Sequence, residues 1–339
     1  MILLKKTIKV KFVGFQSKRY INGVKLEKTW LYKTLTKNFN VVECDDADYI
    51  ICSCFDLYNY CETNQIRIMF SGENYVPDFN LIDYAVSSYP IQFGDRNFFL
   101  PASLWGYDGI RSSLENRHNC FNTETLLNKT NFANLIASYD SENNMRSKLF
   151  MELSKYKQID SPGKLFNNCD FQVRFQDNSK IDFQKKCKFS LCIESAINRG
   201  FNTEKITDAF YAETIPIYYG DPDISSIFNP KAFINIADFD TIEDAVNHII
   251  RVDNDDNLYL EMLNEPVFVN PNFITDTFNN AESYLINIFN QPLEVAKRRS
   301  TVSWPLGHEE FLIKANKTHK ILYKNPLYLF FKNILRKIR

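Results

Sequence analysis

Apolar and polar positions along the first third of this chain follow the rhythm of strands and helices in alternation. Residues 7–15 (TIKVKFVGF) alternate with the period of two that is typical of a strand. Residues 26–39 keep their apolar side chains on one side of a 3.6-residue period, which predicts a helix. Three short apolar runs (NVVEC, ADYIICSCF and IRIMFSGE) follow, and DFNLIDYAVSS adds a fourth. This order predicts a parallel sheet covered by helices.

The same rhythm returns in the second half, after a polar and weakly periodic stretch at 106–130 that we interpret as a linker. Residues 141–156 begin with a Ser cap and predict a helix. CKFSLCIES (187–195) predicts a buried strand, TEKITDAFYAE (203–213) a helix and TIPIYYG (214–220) another strand. The rest of the chain, to about residue 320, is rich in helical patterns.

Two α/β domains and a tail are therefore expected. A chain of 339 residues with 45% hydrophobic residues can bury two cores. We place the first domain at residues 1–125, the second at 126–300 and a helical tail at 301–339.

Composition and motifs exclude several function classes. A net charge of −1 gives no general attraction to nucleic acid. The eight cysteines form no CxxC pair, so buried, reduced thiols are favoured over a zinc site. GxGxxG, GxxxxGK[ST] and GxSxG motifs are absent, and the four histidines lack ligand spacing. Since we find neither a secretory signal nor a long apolar segment, we expect a cytoplasmic protein.

The stretch RGFNTEKITDAFYAETIPIYYGDP (199–222) is the strongest candidate for chemistry. A loop leaves the strand before it, and Thr203 is a good N-cap for the next helix. Glu204 and Lys205 then lie in the first helical turn, at the carboxyl end of a parallel strand, where α/β sheets bind ligands. The helix N-terminus and Lys205 suit a phosphate, and Glu204 suits sugar hydroxyls, so a nucleotide-sugar fits both. The alternative is an ordinary capped surface helix. Asp221-Pro222-Asp223 is interpreted as a turn rather than a metal site.

Residues 187–239 resemble the donor-binding segment of glycosyltransferase family 10, the α-1,3/α-1,4-fucosyltransferases. The shared frame reads KF-L-x-x-E, G-[YF]-x-TEKI-x-DA, IPIY-G-P and FNP-x-[SA]-F-[IV]-N. The stretches DDADYIICSCF (45–55), FSGENYVPDFNLIDYAVS (70–87) and GDRNFFLP (94–101) resemble its N-terminal half. The resemblance covers roughly residues 8 to 300.

This resemblance implies a GT-B fold, in which two Rossmann-like domains face each other across a cleft. It implies an inverting transfer of L-fucose from GDP-fucose to an N-acetylglucosamine or glucose hydroxyl of an oligosaccharide, with α-1,3 linkage favoured over α-1,4. Glu73 corresponds to the family's proposed general base. An inverting transfer is a single displacement, so one such base is sufficient. No cofactor is implied, and a divalent metal would at most stimulate. The donor-binding residues implied are Arg146, Ser195 (where the family commonly has Asn), Phe201 (where it often has Tyr), Asn202, Thr203, Glu204 and Lys205.

The last residues have a pattern of their own. PLYLFFKNILRKIR (326–339) places apolar side chains on one helical face and Lys and Arg on the other, which predicts that the 320–339 tail attaches to an anionic membrane surface. Docking of this tail on the protein is the alternative. We expect a peripheral protein on the inner face of the membrane. Two rival functions stay open: a transferase for another GDP-sugar, and a membrane-associated glycan- or nucleotide-binding protein without turnover.

Overall fold

The computed structural model describes residues 4–15, 20–21, 24–55, 64–105, 113–117, 120–173, 179–300, 304–323, 325–329 and 331. They form two compact units. Unit 1 contains the described residues within Met1–Ser87, Ile91–Phe98 and Glu282–Arg339, and unit 2 those within Ser88–Pro90 and Phe99–Ala281. The sequence-based division at residues 125 and 300 stays a prediction, since it follows the order of the chain whereas the units group residues by contact.

Unit 1 is built on a six-stranded sheet with the strand order β4-β1-β5-β6-β7-β8. The pairs from β4 through β7 are parallel, as predicted. Every residue of β5, β6 and β7 is buried, which explains why these strands are mostly apolar, because a parallel sheet is covered on both faces. The strands of this part of the chain are β1 (Thr7–Val13), β2 (Tyr20–Ile21), β3 (Val24–Lys25), β4 (Asn40–Glu43), β5 (Tyr49–Cys52), β6 (Ile66–Ser71), β7 (Tyr84–Ser87) and β8 (Asn97–Phe99).

Unit 2 contains a second sheet, with five strands in the order β10-β9-β11-β12-β13 and parallel pairing throughout. The middle strand β11 pairs with both neighbours: Phe189 lies opposite Ile215 of β12 and Ala133 of β9. Parallel neighbours bring the carboxyl ends of these strands to one edge. The strands are β9 (Asn131–Asn134), β10 (Ile159–Asp160), β11 (Cys187–Ile193), β12 (Ile215–Tyr219) and β13 (Ile234–Asn235).

α-Helices alternate with several of the parallel strands along the chain, most regularly from β9 to β12, so the predicted α/β class is confirmed. A buried cluster of unit 2 packs the apolar residues of β9, β11 and β12 against helices that follow them in the chain. Numbered along the described residues, the helices are α1 (Trp30–Asn38), α2 (Thr123–Leu127), α3 (Met145–Leu153), α4 (Ser179–Gln184), α5 (Glu204–Tyr211), α6 (Ile242–Asn254), α7 (Asp256–Asn264), α8 (Phe273–Asn290), α9 (Leu293–Ala296) and α10 (Trp304–Tyr323).

The helix predicted from residue 141 begins later than expected. Ser141 precedes a short 3-10 turn that its side chain does not cap, and α3 starts only at Met145. The Ser141 Oγ accepts instead from the backbone N–H of Arg146, in the first turn of α3, at 3.2 Å. The reason for the late start lies in Asn143 and Asn144, whose φ angles are 61° and 55°. Asn tolerates this left-handed region better than most residues, and two such residues in a row interrupt a right-handed helix.

The tail prediction lies largely outside the described residues, because residues 332–339 are not among them. The helix before it, α10, belongs to unit 1 and packs on the first sheet: Leu312 and Ile313 contact a buried cluster of that sheet. Among the described ranges, no helix is both long and apolar enough to cross a bilayer.

Candidate functional site

Side chains from two elements meet at the carboxyl end of β11. Glu194 directly follows this strand and is 2% exposed. The backbone N–H and the Oγ1 hydroxyl of Thr203 donate to Glu194 Oε1 at 2.7 and 2.9 Å. Lys205 Nζ lies 2.9 Å from Glu194 Oε2 and 2.7 Å from Thr203 Oγ1. The start of α5 is thus tied to the end of β11 by a buried carboxylate.

Thr203 is the N-cap residue of α5, as predicted, but its side chain makes no capping hydrogen bond. The hydroxyl is engaged by Glu194 and Lys205 instead. Burial alone would lower the pKa of Lys205, yet the attraction of Glu194 and Glu204 outweighs it and raises the pKa above its ordinary value. Lys205 therefore stays charged, and 22% of its side chain is exposed.

Arg146 reaches the same strand end from α3. Its Nε and Nη2 donate to the carbonyl of Ile193 at 3.1 and 2.8 Å, and its Nη1 donates to the carbonyl of Tyr139 at 2.6 Å. Burial lowers the pKa of Arg146, and Glu194 partly opposes this shift. The guanidinium stays protonated at any physiological pH. Arg146 is thus a buried cation held by main-chain oxygens, beside the Tyr139 ring, whose centroid is 5.6 Å away.

A second buried carboxylate fixes the loop that leads into α5. Asp221 Oδ2 accepts from Asn202 Nδ2 at 2.8 Å, and its Oδ1 accepts from the backbone of Gly200 at 2.9 Å. Ser103 Oγ donates to Asn202 Oδ1 at 2.6 Å. The turn predicted at residues 221–223 is confirmed. The sequence did not reveal that Asp221 anchors Asn202 in place.

The other predicted donor residues lie close by in the chain but differ in exposure. Phe201 is 6% exposed, whereas Ser195 is half-buried and its carbonyl accepts from the backbone of Glu142 at 2.8 Å. Glu204 is exposed, with Oε1 4.0 Å from Lys205 Nζ.

One ion pair near this site was missed by sequence reasoning. Lys180 Nζ of α4 lies 2.7 Å from Asp208 Oδ2 of α5, and both residues are largely buried. The spacing of Glu204 and Asp208 puts both carboxylates on one face of a helix, but it does not identify Lys180 as a partner.

Within the described part of the chain, no group of three or more His, Cys, Asp or Glu residues is arranged to hold a metal ion.

Glu73, the predicted general base, lies in unit 1, in the loop after β6. Its side chain is exposed, its backbone N–H donates to Ser71 Oγ at 3.3 Å, and its carbonyl accepts from the backbone of Tyr75 at 2.7 Å. Ser71 Oγ in turn donates to Cys54 Sγ at 3.0 Å. Burial raises the pKa of the Cys54 thiol, the Ser71 hydrogen bond lowers it, and the Glu73 carboxylate raises it further.

Two family models match this chain. Residues 126–265 match the C-terminal domain of glycosyltransferase family 10 (fucosyltransferase), and residues 10–105 match the N-terminal domain of α-(1,3)-fucosyltransferase FucT. Together they cover more than half of the chain. The chain belongs to glycosyltransferase family 10.

Among relatives of this family 10 chain, α-(1,3)-fucosyltransferase FucT of Helicobacter pylori is 30% identical over 60% of this chain and 47% of its own length. The human 4-galactosyl-N-acetylglucosaminide 3-alpha-L-fucosyltransferase 9 is 28% identical over 35% of this chain and 32% of its own. The chain thus spans less than half the length of these relatives.

Solved structures of an α1,3-fucosyltransferase share the fold. One superposes with a TM-score of 0.72 at 22% identity, covering 88% of this chain and 93% of the other. A second, with GDP-fucose, has a TM-score of 0.68 at 23% identity and covers 84% and 92%. The predicted GT-B class is confirmed at the level of two Rossmann-like α/β units.

The residues that the sequence assigned to the donor thus lie in unit 2 around the end of β11 and the start of α5, within the matched C-terminal family domain. Glu73 lies in the matched N-terminal domain and in unit 1. The roles of all eight residues stay predictions.

Proposed function

We propose that this chain is an inverting α-1,3-fucosyltransferase that moves L-fucose from GDP-fucose to a hydroxyl of an N-acetylglucosamine or glucose unit of a cell-surface glycan. The observation that carries the proposal is the placement of two cations, Arg146 and Lys205, at the carboxyl end of β11, inside the matched family 10 domain. One relative bears the name α-(1,3)-fucosyltransferase, and one solved structure of the same fold holds GDP-fucose.

On the donor side, the proposal assigns the diphosphate to Lys205, Arg146 and the N-terminus of α5. As the bond to fucose breaks, negative charge collects on the departing GDP. Two buried or half-buried cations and the positive end of a helix dipole stabilise that charge. The exposed Glu204 accepts hydrogen bonds from sugar hydroxyls, and Ser195, Phe201, Asn202 and Thr203 shape the wall. In this proposal neither a cofactor nor a metal ion is required.

On the acceptor side, Glu73 removes the proton from the attacking hydroxyl. An inverting transfer is one in-line displacement, so a single carboxylate is sufficient as general base. An exposed carboxylate in a loop anchored through Ser71 and Tyr75 is accessible to an acceptor sugar.

Incubation of purified protein with GDP-fucose tests the proposal. Lactose, N-acetyllactosamine and its β-1,3 isomer serve as acceptors, and NMR of the product gives the linkage. We expect an α-1,3-fucosylated product. Turnover of GDP-mannose with none of GDP-fucose would support a transferase for another GDP-sugar. GDP binding without any transfer would support a binding protein.

A further inference from the structure

Within unit 1, helix α10 is held by a buried network of charges. Glu309 Oε1 of this helix accepts from Arg67 Nη2 at 2.7 Å, and Glu309 Oε2 lies 3.6 Å from Arg299 Nη1. Arg299 Nε also donates to Asp83 Oδ2 at 2.9 Å. All four residues are less than a tenth exposed. Two cations and two carboxylates thus balance each other, as buried charges require.

The same helix contacts the loop that carries Glu73. His308 Nε2 lies 3.2 Å from Asp78 Oδ2, and Arg67, the partner of Glu309, donates to the carbonyl of Leu81 at 2.9 Å. These contacts hold the far end of the loop after β6.

Apolar packing holds the near end. Leu312 and Ile313 pack against the buried cluster of β5, β6 and β7 that Tyr75 and Cys54 also contact. Tyr75 donates its backbone N–H to the carbonyl of Glu73, and Cys54 accepts from Ser71, whose oxygen accepts from the Glu73 backbone. The cluster thus connects α10 with Tyr75, which is hydrogen-bonded to Glu73, and with Cys54, which reaches Glu73 through Ser71.

We propose that α10 is a positioning element for the reaction, and that Leu312, Ile313 and Glu309 are positioning residues that fix the Glu73 loop. The inference rests on the proposed role of Glu73. It assigns a function in catalysis to a helix that the sequence pattern grouped with the tail.

Leu312→Ala in the full chain tests this inference, with Phe311→Ala as the matched control, because Phe311 is the neighbouring residue on the same helix and is 67% exposed. We measure kcat, the acceptor KM, GDP affinity and the rate of Cys54 alkylation, with the labelled cysteine identified by peptide mass spectrometry. We expect Leu312→Ala to accelerate Cys54 labelling and to lower kcat at least about tenfold, since a misplacement of about 1 Å can cost about 100-fold. GDP affinity should not change, Phe311→Ala should behave as wild type, and Leu312→Met should restore the rate.

Unchanged kcat and Cys54 labelling in both Leu312→Ala and Glu309→Gln would overturn the inference, because α10 would then contribute only stability. If Leu312→Ala does not fold, Ile313→Val supplies the same comparison with one methylene group removed. The labelling experiment needs no sugar transfer. A wild-type protein without fucosyltransferase activity would therefore refute the proposed function while the docking of α10 on the loop is still tested.

Discussion

Lys205 Nζ lies 2.9 Å from Glu194 Oε2, and the Glu194 side chain is completely buried. Lys205, the lysine assigned to the donor phosphates, is therefore already paired with a carboxylate. A buried carboxylate that keeps its lysine in one place pre-organises a cation for a ligand, because fewer rotamers are lost on binding.

The first prediction concerns this pair. Glu194→Gln removes the charge but keeps the shape, and Lys205→Met removes the cation. We expect each variant to lower the free energy of unfolding, and a double-mutant cycle to give a coupling of about 1–3 kcal/mol. GDP affinity, measured by calorimetry, should fall in both. Additive losses of stability would contradict a direct interaction.

Arg146→Lys supplies the second prediction. The guanidinium spans two carbonyls, those of Ile193 and Tyr139, and a lysine has no planar fork to bind both. We expect a loss of about 1–3 kcal/mol in unfolding free energy, since a buried carbonyl is left unpaired. GDP binding should weaken as well. Tyr139→Ala is the control, because Arg146 binds the main-chain oxygen of Tyr139, so denaturant unfolding should separate the two variants.

Gly200→Ala is expected to disturb the loop before α5. Gly200 has a φ of +78°, and a Cβ there would lie 2.7 Å from Pro90 Cδ. The left-handed conformation alone costs about 1–2 kcal/mol for other residues. Gly94→Ala is the matched control, because its φ is +57° and, apart from its chain neighbours, no described residue places a heavy atom within 4 Å of an added Cβ. Thermal unfolding should show a larger decrease in Tm for Gly200→Ala, together with weaker GDP binding. Equal decreases would mean that the contact with Pro90 relaxes freely.

Glu73→Gln tests the proposed base. The amide cannot accept the acceptor proton, and loss of general base catalysis costs about 100- to 10,000-fold. We expect kcat to fall by that order while GDP affinity is unchanged, because the donor residues lie in the other unit. Asn74→Ala, at the next position in the same loop, is the control for local disturbance. Wild-type kcat in the Glu73 variant would remove the assignment.

The tail hypothesis predicts that a chain ending at residue 323, where α10 ends, dissociates from anionic vesicles but still acts on a soluble acceptor. Each basic residue near such a surface contributes about 1 kcal/mol, so the loss of the basic residues after 323 should be readily measured by vesicle sedimentation. Replacement of Lys332, Arg336, Lys337 and Arg339 by Gln should have a similar effect. Vesicle binding that survives both changes would favour docking of the tail on the protein.

Local patterns were sufficient for most of the fold. The strands around Ile50, Ile68 and Phe189 were predicted because parallel strands are apolar at nearly every position. The start of α5 was predicted from Thr203 as an N-cap in front of an amphipathic stretch, and it is confirmed. The predicted start of α3 at residue 141 was wrong, because the α-helix begins only at Met145. The left-handed conformation of Asn143 and Asn144 depends on the surrounding structure, and helix propensity does not predict it.

Partners far apart in the chain could not be predicted. Arg146 and Lys205 were singled out, but Glu194 as the partner of Lys205 and the main-chain oxygens as partners of Arg146 depend on which residues the sheet brings together. The same applies to Ser103, which donates to Asn202 across 99 positions. Spacing along the sequence carries no signal for such contacts.

Unit 1 takes its residues from both ends of the chain, and this has a consequence for biosynthesis. Lys37 pairs with Glu282, and the ring of Phe39 contacts that of Phe289, so these contacts must wait until the ribosome has added more than 240 residues. Unit 2 comes almost entirely from one stretch of the chain, Phe99–Ala281, so it can form its core before unit 1 is complete. The nascent first sheet therefore depends on late-arriving sequence, and translation that stops before residue 282 would leave its apolar surface exposed to chaperones and proteases.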